Sequence, residues 1–403
     1  MADQALSDIK VLDFSHFIAG PYCTKLLADY GAEVIKVERP DTGDGARRLG
    51  PFPGDEPNGE KSGLFLHLNT NKRSITLNLK TAAAREIALQ LVKQSDIVVE
   101  SFRPGTMDAL GLDYTTLKAL NPQLVMTSVS NFGQTGPYRD YKSSEIIFYG
   151  MGGEMCATGF DDREPIKLGG TVGLYQAGTI AAVATMGALF GAKGDDIGQL
   201  VDVSIFETQI SSQDRRTSSL FGYQYTGKIS PRLPLATAGY PLGIYPCQDG
   251  YFEWFGGLVY FPRVVAMLGN PEFLQEPRWY TPQAQSDPEM VDEFNGYFLG
   301  WCLEHTKKEL WEIGQSNRVI SAPVNTVEDV LNDPEFTKRG AFALMNHPEV
   351  GEVRIPGRPF IMGETPWDLR RPAPTLGQHN EEVLTGLGYS REDVVRLRQQ
   401  GVI

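Results

Sequence analysis

VLDFSHFIAGPYCTKLLADYGAEVIKVERP, residues 11–40, decides the fold. IKVLDFS (residues 9–15) is a short apolar run of strand type, and the Ala-Gly-Pro that follows breaks it. In CTKLLADY (23–30), Leu26, Leu27 and Tyr30 share one helical face suited to lying on a sheet. Gly31 stops that helix and EVIKVE (33–38) begins the next strand. A second cycle runs SITLNL (74–79), Thr81 as helix N-cap, then AAAREIALQLVKQ, where Ile87, Leu91 and Ala88, Val92 stand four apart. IVVE (97–100), the helix DYTTLKAL and LVMTSVS (124–130) add two further strands. Strands separated by helices of this length predict an α/β fold with a mostly parallel, doubly wound, Rossmann-like sheet.

The middle of the chain changes character. From Ser219 to Asn325 prolines, glycines and aromatics become dense, and LGIYPCQDGYFEWF (242–255) reads as a β-hairpin turning at Asp249-Gly250. The expected organisation is therefore a large domain from 1–218 and 326–403, interrupted by a smaller α+β domain at 219–325. In the last segment EVGEVRIPG reads as a hairpin, and SREDVVRLRQQ as a helix opened by a Ser390/Asp393 capping box.

Bulk properties narrow the function. A chain of 403 residues, 41% hydrophobic and 22% charged, can bury its core without disulfides. The formal charge of −13 disfavours nucleic acid or an anionic membrane as main partner, although a small anion needs only a local basic pocket. Cys23, Cys156, Cys247 and Cys302 form no CxxC pair, which fits a reducing cytoplasm and gives no zinc site. MADQALSDIK lacks the apolar segment of a signal peptide, and the apolar stretch Thr179–Phe190 is expected to be a buried helix too short to span a bilayer. No membrane or metal is expected.

Two chemistries suggest themselves and find little support. Gly20 after the first strand and Glu38 at the end of the second mimic a dinucleotide site, but the turn AGPYCTK holds one glycine where GxGxxG needs three. Pro21 also removes an N–H that a pyrophosphate would use. For a hydrolase, His16, His67, His305, His347 and His379 lie far apart and no GxSxG elbow occurs.

The motifs taken in order point elsewhere. The opening stretch, NTNKRSITLNLK, VESFRPGTMDALGL, NPQLVMTSVSNFGQTGPY, GQLVDVSIFET, APVNTVEDVLNDP and PTLGQHNEEVLTGLGYSREDVVRLRQQGVI span nearly the whole chain. Together they resemble the class III CoA-transferases, the formyl-CoA transferase and carnitine CoA-transferase family. That resemblance implies a Rossmann-like large domain built from both chain ends, a small central domain, and two subunits threaded through each other as an interlocked dimer. It implies a CoA thioester as substrate, with no tightly bound cofactor. The implied reaction is a ping-pong transfer in which an aspartate carries CoA as a thioester.

In that family the aspartate follows one glycine and is separated by three residues from another glycine that opens a long apolar helix. In KLGGTVGLYQAGTIAAVATMGALF the matching glycines are Gly173 and Gly178, so Leu174 occupies the aspartate position. The nearest upstream acids, Asp161, Asp162 and Glu164, lie in the loop GFDDREP and do not restore it. Arg39, Leu77, Lys80 and Lys142 match residues that hold the nucleotide and phosphates of CoA, where cations make charge-assisted bonds. Ala109 stands where relatives keep a phosphate-binding arginine, which Arg103 could replace. Ser144 replaces a tyrosine and Ile18 a glutamine near the reaction centre. Glu145 matches a polar position beside that centre and is a stand-in nucleophile to be weighed. The racemase branch needs His and Asp where Ser144 and Leu174 stand, so racemisation is not expected.

The expectation is thus a non-catalytic subunit of a heteromeric CoA-transferase, with a paralogous, aspartate-containing subunit as partner. Such an enzyme would move CoA from a thioester such as succinyl-CoA to an organic acid. The branch of the family acting on benzylsuccinate is similar, since one of its two related subunits lacks the aspartate. YFEWFGGLVYF, with six aromatics in eleven residues, is either core packing or a pocket wall for an aromatic acyl group. Two alternatives stand beside this: a homodimeric CoA-thioester lyase or isomerase with another base, and a non-enzymatic scaffold of the same fold.

Overall fold

A computed structural model describes residues 4–211, 214–229, 232 and 239–403. The chain divides into two compact units: one runs to Met155 and includes Lys167–Ile229 and Lys338–Ile403, the other comprises Cys156–Ile166 and Ser230–Thr337.

The first unit is built on six strands: β1 (Lys10–Asp13), β2 (Glu33–Glu38), β3 (Lys72–Thr76), β4 (Ile97–Glu100), β5 (Val125–Ser130) and β6 (Leu200–Ser204). They pair in the order β3-β2-β1-β4-β5-β6, every neighbour parallel. This is the expected doubly wound α/β sheet. Each residue of β4 and β5 is buried, as strands covered by helices on both faces require. The helices that matter for the site are α1 (Ala19–Asp29), α2 (Gly63–Leu68), α3 (Ala82–Val92), α4 (Thr106–Leu110), α5 (Tyr114–Leu120), α6 (Glu145–Met151) and α7 (Val172–Asp195). Thr81 caps α3 by accepting from the Ala84 N–H, and Ser390 with Asp393 forms the capping box of the final helix Arg391–Gln399, both as the spacing predicts.

Local differences have physical reasons. Ala19-Gly20-Pro21 does not end a segment but forms the first turn of α1, where a proline loses no helical hydrogen bond. Gly20 is demanded there because a Cβ would lie 2.3 Å from the Ser15 Cβ. The apolar run Thr179–Phe190 extends in both directions into the 24-residue α7, since small residues on either side continue the helix. By length and hydropathy α7 could cross a membrane, which corrects the expectation that it is too short. Its buried line, Gly173, Ala177, Gly178, Ala181, Thr185, Ala188 and Ala192, is almost all small because α1 lies close against it. At Gly178 a Cβ would stand 2.5 Å from the Ala19 carbonyl oxygen. The opposite face leaves Val183 and Phe190 exposed.

In the second unit Leu242–Cys247 and Gly250–Phe255 form the expected hairpin, joined by a further antiparallel strand, Ile320–Pro323. The Cys247–Gly250 pairing makes Gln248-Asp249 the turn, one residue earlier than predicted, with Gly250 opening the second strand at φ 151°. Phe252, Trp254 and Phe261 are wholly buried with Phe294 and Phe298, so half of the aromatic run is core, while alternation turns Tyr251 and Phe255 outward.

Candidate functional site

In a doubly wound sheet the crevice lies beyond the carboxyl ends of the strands, where successive connections leave for opposite faces. Here that point lies between β1 and β4, because β1 neighbours both β2 and β4. Two cavities open there. The first, of 710 Å³, is lined by the segments after β2 and β3 (Glu38–Thr42 and Leu77–Lys80) and by Arg398, Gly401 and Ile403. The second, of 660 Å³, is lined by the loop after β1, by Ser101–Pro104 after β4, by Val129–Asn131, and by Arg139–Glu145 with Leu174. His16 and Phe102 line both.

The loop that separates the cavities is fixed by buried charges. Asp13 accepts from the Ser15 N–H and hydroxyl, from Thr24 and from Lys72. Lys36 lies 2.9 Å from Asp44 and donates to the Ser15 carbonyl at 2.8 Å. Asp44 in turn accepts from the N–H groups of Phe17 and Ala46, and its Oδ1 lies 3.6 Å from His16 Nδ1. These bonds hold Phe17 at φ 66°, unusual for a non-glycine residue. Burial opposes ionisation of Asp13, yet Lys36 and Lys72 keep its carboxyl below the usual range. Burial pulls the Lys72 ammonium down to about 8 despite Asp13 beside it. Glu38, the acid that could have held a ribose, is already taken. Arg47 binds it with two N–H groups at 2.7 and 2.8 Å, and the Ser74 hydroxyl donates to it as well.

The residues singled out from sequence fall into the two cavities. Arg39, Leu77 and Lys80 line the first. Lys142, Arg103, Ile18, Ser144, Glu145 and Leu174 line the second. Ala109 is exposed on α4, whose Thr106 and Leu110 reach the first cavity. Asp161, Asp162 and Glu164 line neither cavity and belong to the other compact unit.

Leu174 sits in the first turn of α7, half-buried, with its side chain packed on the core that includes Phe148, Val203 and Ile205. Glu145, in the first turn of α6, is 9% exposed. Its Oε1 accepts from the Gly173 N–H at 2.8 Å, while Oε2 takes no hydrogen bond among the described residues. Gly173 has no room for a side chain, since a Cβ would lie 3.0 Å from Gln209 Oε1 and 3.1 Å from Glu145 Oε1. The second cavity is thus lined by Leu174 and other apolar groups together with Glu145, Arg103, Arg139 and Lys142. Among the described residues no group of three or more His, Cys, Asp or Glu is placed to hold a metal ion.

Sequence reasoning missed Arg139 and Tyr141 in the second cavity and Arg398 in the first, because nothing in their spacing links them to the strands they face. It also missed Glu100, the buried end of β4, which lines a third cavity of 310 Å³ and accepts from the Phe102 N–H. Burial, with Asp202 and Asp108 adding to it, raises the Glu100 carboxyl to about 7 against bonds from Ser128 and Phe102.

Residues 6–380 match the profile of CoA-transferase family III. The chain belongs to that family. Family III relatives include the succinyl-CoA–D-citramalate CoA-transferase of Chloroflexus aurantiacus, 36% identical over 99% of this chain and 98% of that protein. They also include the BbsE subunit of succinyl-CoA:(R)-benzylsuccinate CoA-transferase from Thauera aromatica, 31% identical over 99% of this chain and 98% of its own length. Among solved structures, a CAIB/BAIF family protein from Brucella suis superposes with a TM-score of 0.84 at 30% identity, covering 96% of this chain and all of that one. Membership in family III makes this chain part of a CoA-transferase family.

Proposed function

We propose that this family III chain is the subunit without a nucleophile in a heteromeric CoA-transferase, interlocked with a paralogous subunit that supplies the aspartate. The observation that carries the reading is Leu174. The cavity at the topological switch point is open, and where the family resemblance expects the aspartate its lining has an isobutyl group that can neither attack a thioester nor carry CoA. The likeness to a relative named as a subunit supports the same reading.

In the partner the aspartate carboxylate would attack the donor thioester, giving a mixed anhydride and CoA thiolate. The thiolate attacks the aspartyl carbonyl, releasing the donor acid and leaving CoA on the enzyme as a thioester. The acceptor carboxylate repeats the sequence in reverse and takes CoA away. In this chain Arg39, Leu77 and Lys80 would border the nucleotide part of a CoA thioester and Lys142 its acyl end. A lining that combines Phe148, Leu174 and Ile205 with Arg103, Arg139 and Lys142 suits an acid with an apolar body, such as benzylsuccinate, with succinyl-CoA as donor. Domain bounds of 1–218 with 326–403 around 219–325 accompany this reading.

Purification from the native source, followed by intact-mass measurement after incubation with succinyl-CoA, tests it. The CoA adduct, cleaved by hydroxylamine, should appear on a co-purifying paralogue and not on this chain. A homodimer active alone overturns the proposal.

One observation favours a second reading. Glu145 Oε2 is buried beside Leu174 and takes no hydrogen bond among the described residues, which suits a base or nucleophile in a homodimeric lyase or isomerase. Under that reading Glu145→Gln abolishes turnover by the isolated chain, and under the first reading the isolated chain has none to lose.

A further inference from the structure

We infer that Arg398, in the last turn of the final helix, is a phosphate-binding residue of the first cavity. It would supply the cation that Ala109 lacks. Three cationic side chains from three separate elements line this cavity: Arg39 after β2, Lys80 after β3, and Arg398. All three are exposed, and none makes an ion pair or side-chain hydrogen bond among the described residues. Nearby arginines behave differently: Arg391 pairs with Glu381, Arg396 with Asp393, and Arg73 with Glu33 and Glu382.

Two side-chain carboxylates also line the cavity. Glu38 is consumed by Arg47 and Ser74, which leaves Asp41 facing the three cations. The walls between the charges are apolar: Phe14, Leu77, Leu79, Phe102 and Leu110, closed by Ile403. A volume of 710 Å³ with apolar walls and an excess of uncommitted cations fits a nucleotide, its base against the walls and its phosphates at the mouth.

The position of Arg398 is fixed by the main chain. The Asn78 N–H donates to the Val402 carbonyl at 2.7 Å and the Asn78 side chain donates to Gly401, so the end of the chain is tied to the segment that carries Lys80. The helix dipole adds to this, because a cation in the last helical turn is favoured where it stands. Arg39 and Lys80 were singled out from the sequence by resemblance, and both line this cavity. The third cation arrives from more than 300 residues downstream, which a local pattern cannot reveal.

This inference rests on the reading that the chain retains a CoA site, and the test separates the two. CoA and pantetheine binding are measured by titration calorimetry on the full chain as it purifies, with any partner subunit present. Wild type is compared with Arg398→Gln and Arg398→Lys. Arg398→Gln should weaken CoA binding roughly tenfold, by loss of a charge-assisted phosphate contact. Arg398→Lys should stay within about threefold, and pantetheine, which has no nucleotide, should bind all three alike. In a complex with a second CoA site the loss is confined to one of the two sites. Wild-type CoA affinity in Arg398→Gln, or an equal loss for pantetheine, overturns the role of Arg398 alone. No CoA binding to this chain in the wild type overturns the CoA-site reading and this inference together.

Discussion

Replacing Glu100 by glutamine should stabilise the protein, and by an amount that grows with pH in a defined window. Glu100 is 3% exposed, and burial lifts its carboxyl from an ordinary value near 4.5 to about 7. Below about pH 4.5 the group is protonated in both folded and unfolded chains, so it contributes no pH dependence. Between about 4.5 and 7 the folded protein holds a proton that the unfolded chain has released, so wild-type stability falls as pH rises. Above about 7 the whole cost is present. A shift of about 2.5 units at 1.36 kcal/mol each amounts to about 3 kcal/mol. Glutamine has no charge to bury, and its carbonyl can still accept the Phe102 N–H that Glu100 takes at 2.8 Å. Urea midpoints of wild type and Glu100→Gln at pH 5, 6, 7 and 8 measure the difference directly. The other titrating groups are common to both proteins and cancel. The gap should be small at pH 5, widen by about 1.4 kcal/mol per unit, and level off above pH 7. A gap independent of pH, or a variant less stable at pH 8, refutes the reasoning.

Three further outcomes follow from single contacts. Gly178→Ala should cost about 1–3 kcal/mol, read as a lowered melting temperature, because the new Cβ forces α1 and α7 apart at the Ala19 carbonyl. His67, stacked on Tyr22 and tilted against Tyr175, is held down to about 4 by burial and then by Lys25. Its contribution is complete above about pH 6.5 and is lost as pH falls toward 4, so His67→Phe should flatten acid unfolding by up to about 3 kcal/mol. Leu174→Asp should lower stability by about 2 kcal/mol in a melting experiment, since it removes apolar packing and sets a second carboxylate beside Glu145. An unchanged melting temperature in that variant would mean that the cavity still accommodates a carboxylate.

The parallel sheet was legible because its strands are short apolar runs at helix-length intervals, and β4 appears with the predicted bounds, Ile97–Glu100. The start of α1 was not, since Gly-Pro reads as a break unless Ser15 is known to lie 2.3 Å from the Gly20 Cβ position. The length of α7 was hidden too, because Gly178 marks close packing on α1 while Gly191 and Gly194 continue the helix with no neighbour near them, and neither kind marks an end. For the site, the family resemblance grouped Arg39, Leu77, Lys80 and Lys142 as one set, which the structure divides between two cavities, with Leu174 beside Lys142 in the second. It could not show that the two cavities adjoin through His16 and Phe102. Nor could it find Glu100 or Arg398, whose surroundings come from chain segments far away in sequence.

The character of the substitution at position 174 bears on the proposed role. A nucleophile lost by neglect would leave a polar or small residue in a cavity shaped for a carboxylate. Here the isobutyl group is packed on a core that includes Phe148, Val203 and Ile205, so the side chain contributes to stability where an aspartate would cost it. The position is also the third residue of α7, where the helix dipole favours an acid, so leucine forgoes that stabilisation in exchange for packing. Meanwhile the loop between the two cavities is braced by buried charges. Asp13, Lys36, Asp44 and Lys72 are buried ions that must all be paired to be tolerated, and what they hold in place is the His16–Ile18 loop between the cavities. A scaffold without a ligand has no need of so strained a loop, with Phe17 at φ 66°. Under the proposed function, an apolar residue at position 174 beside a loop braced by paired buried charges is the pattern expected of a subunit that takes part in handling a substrate, which favours the heteromeric transferase over the scaffold.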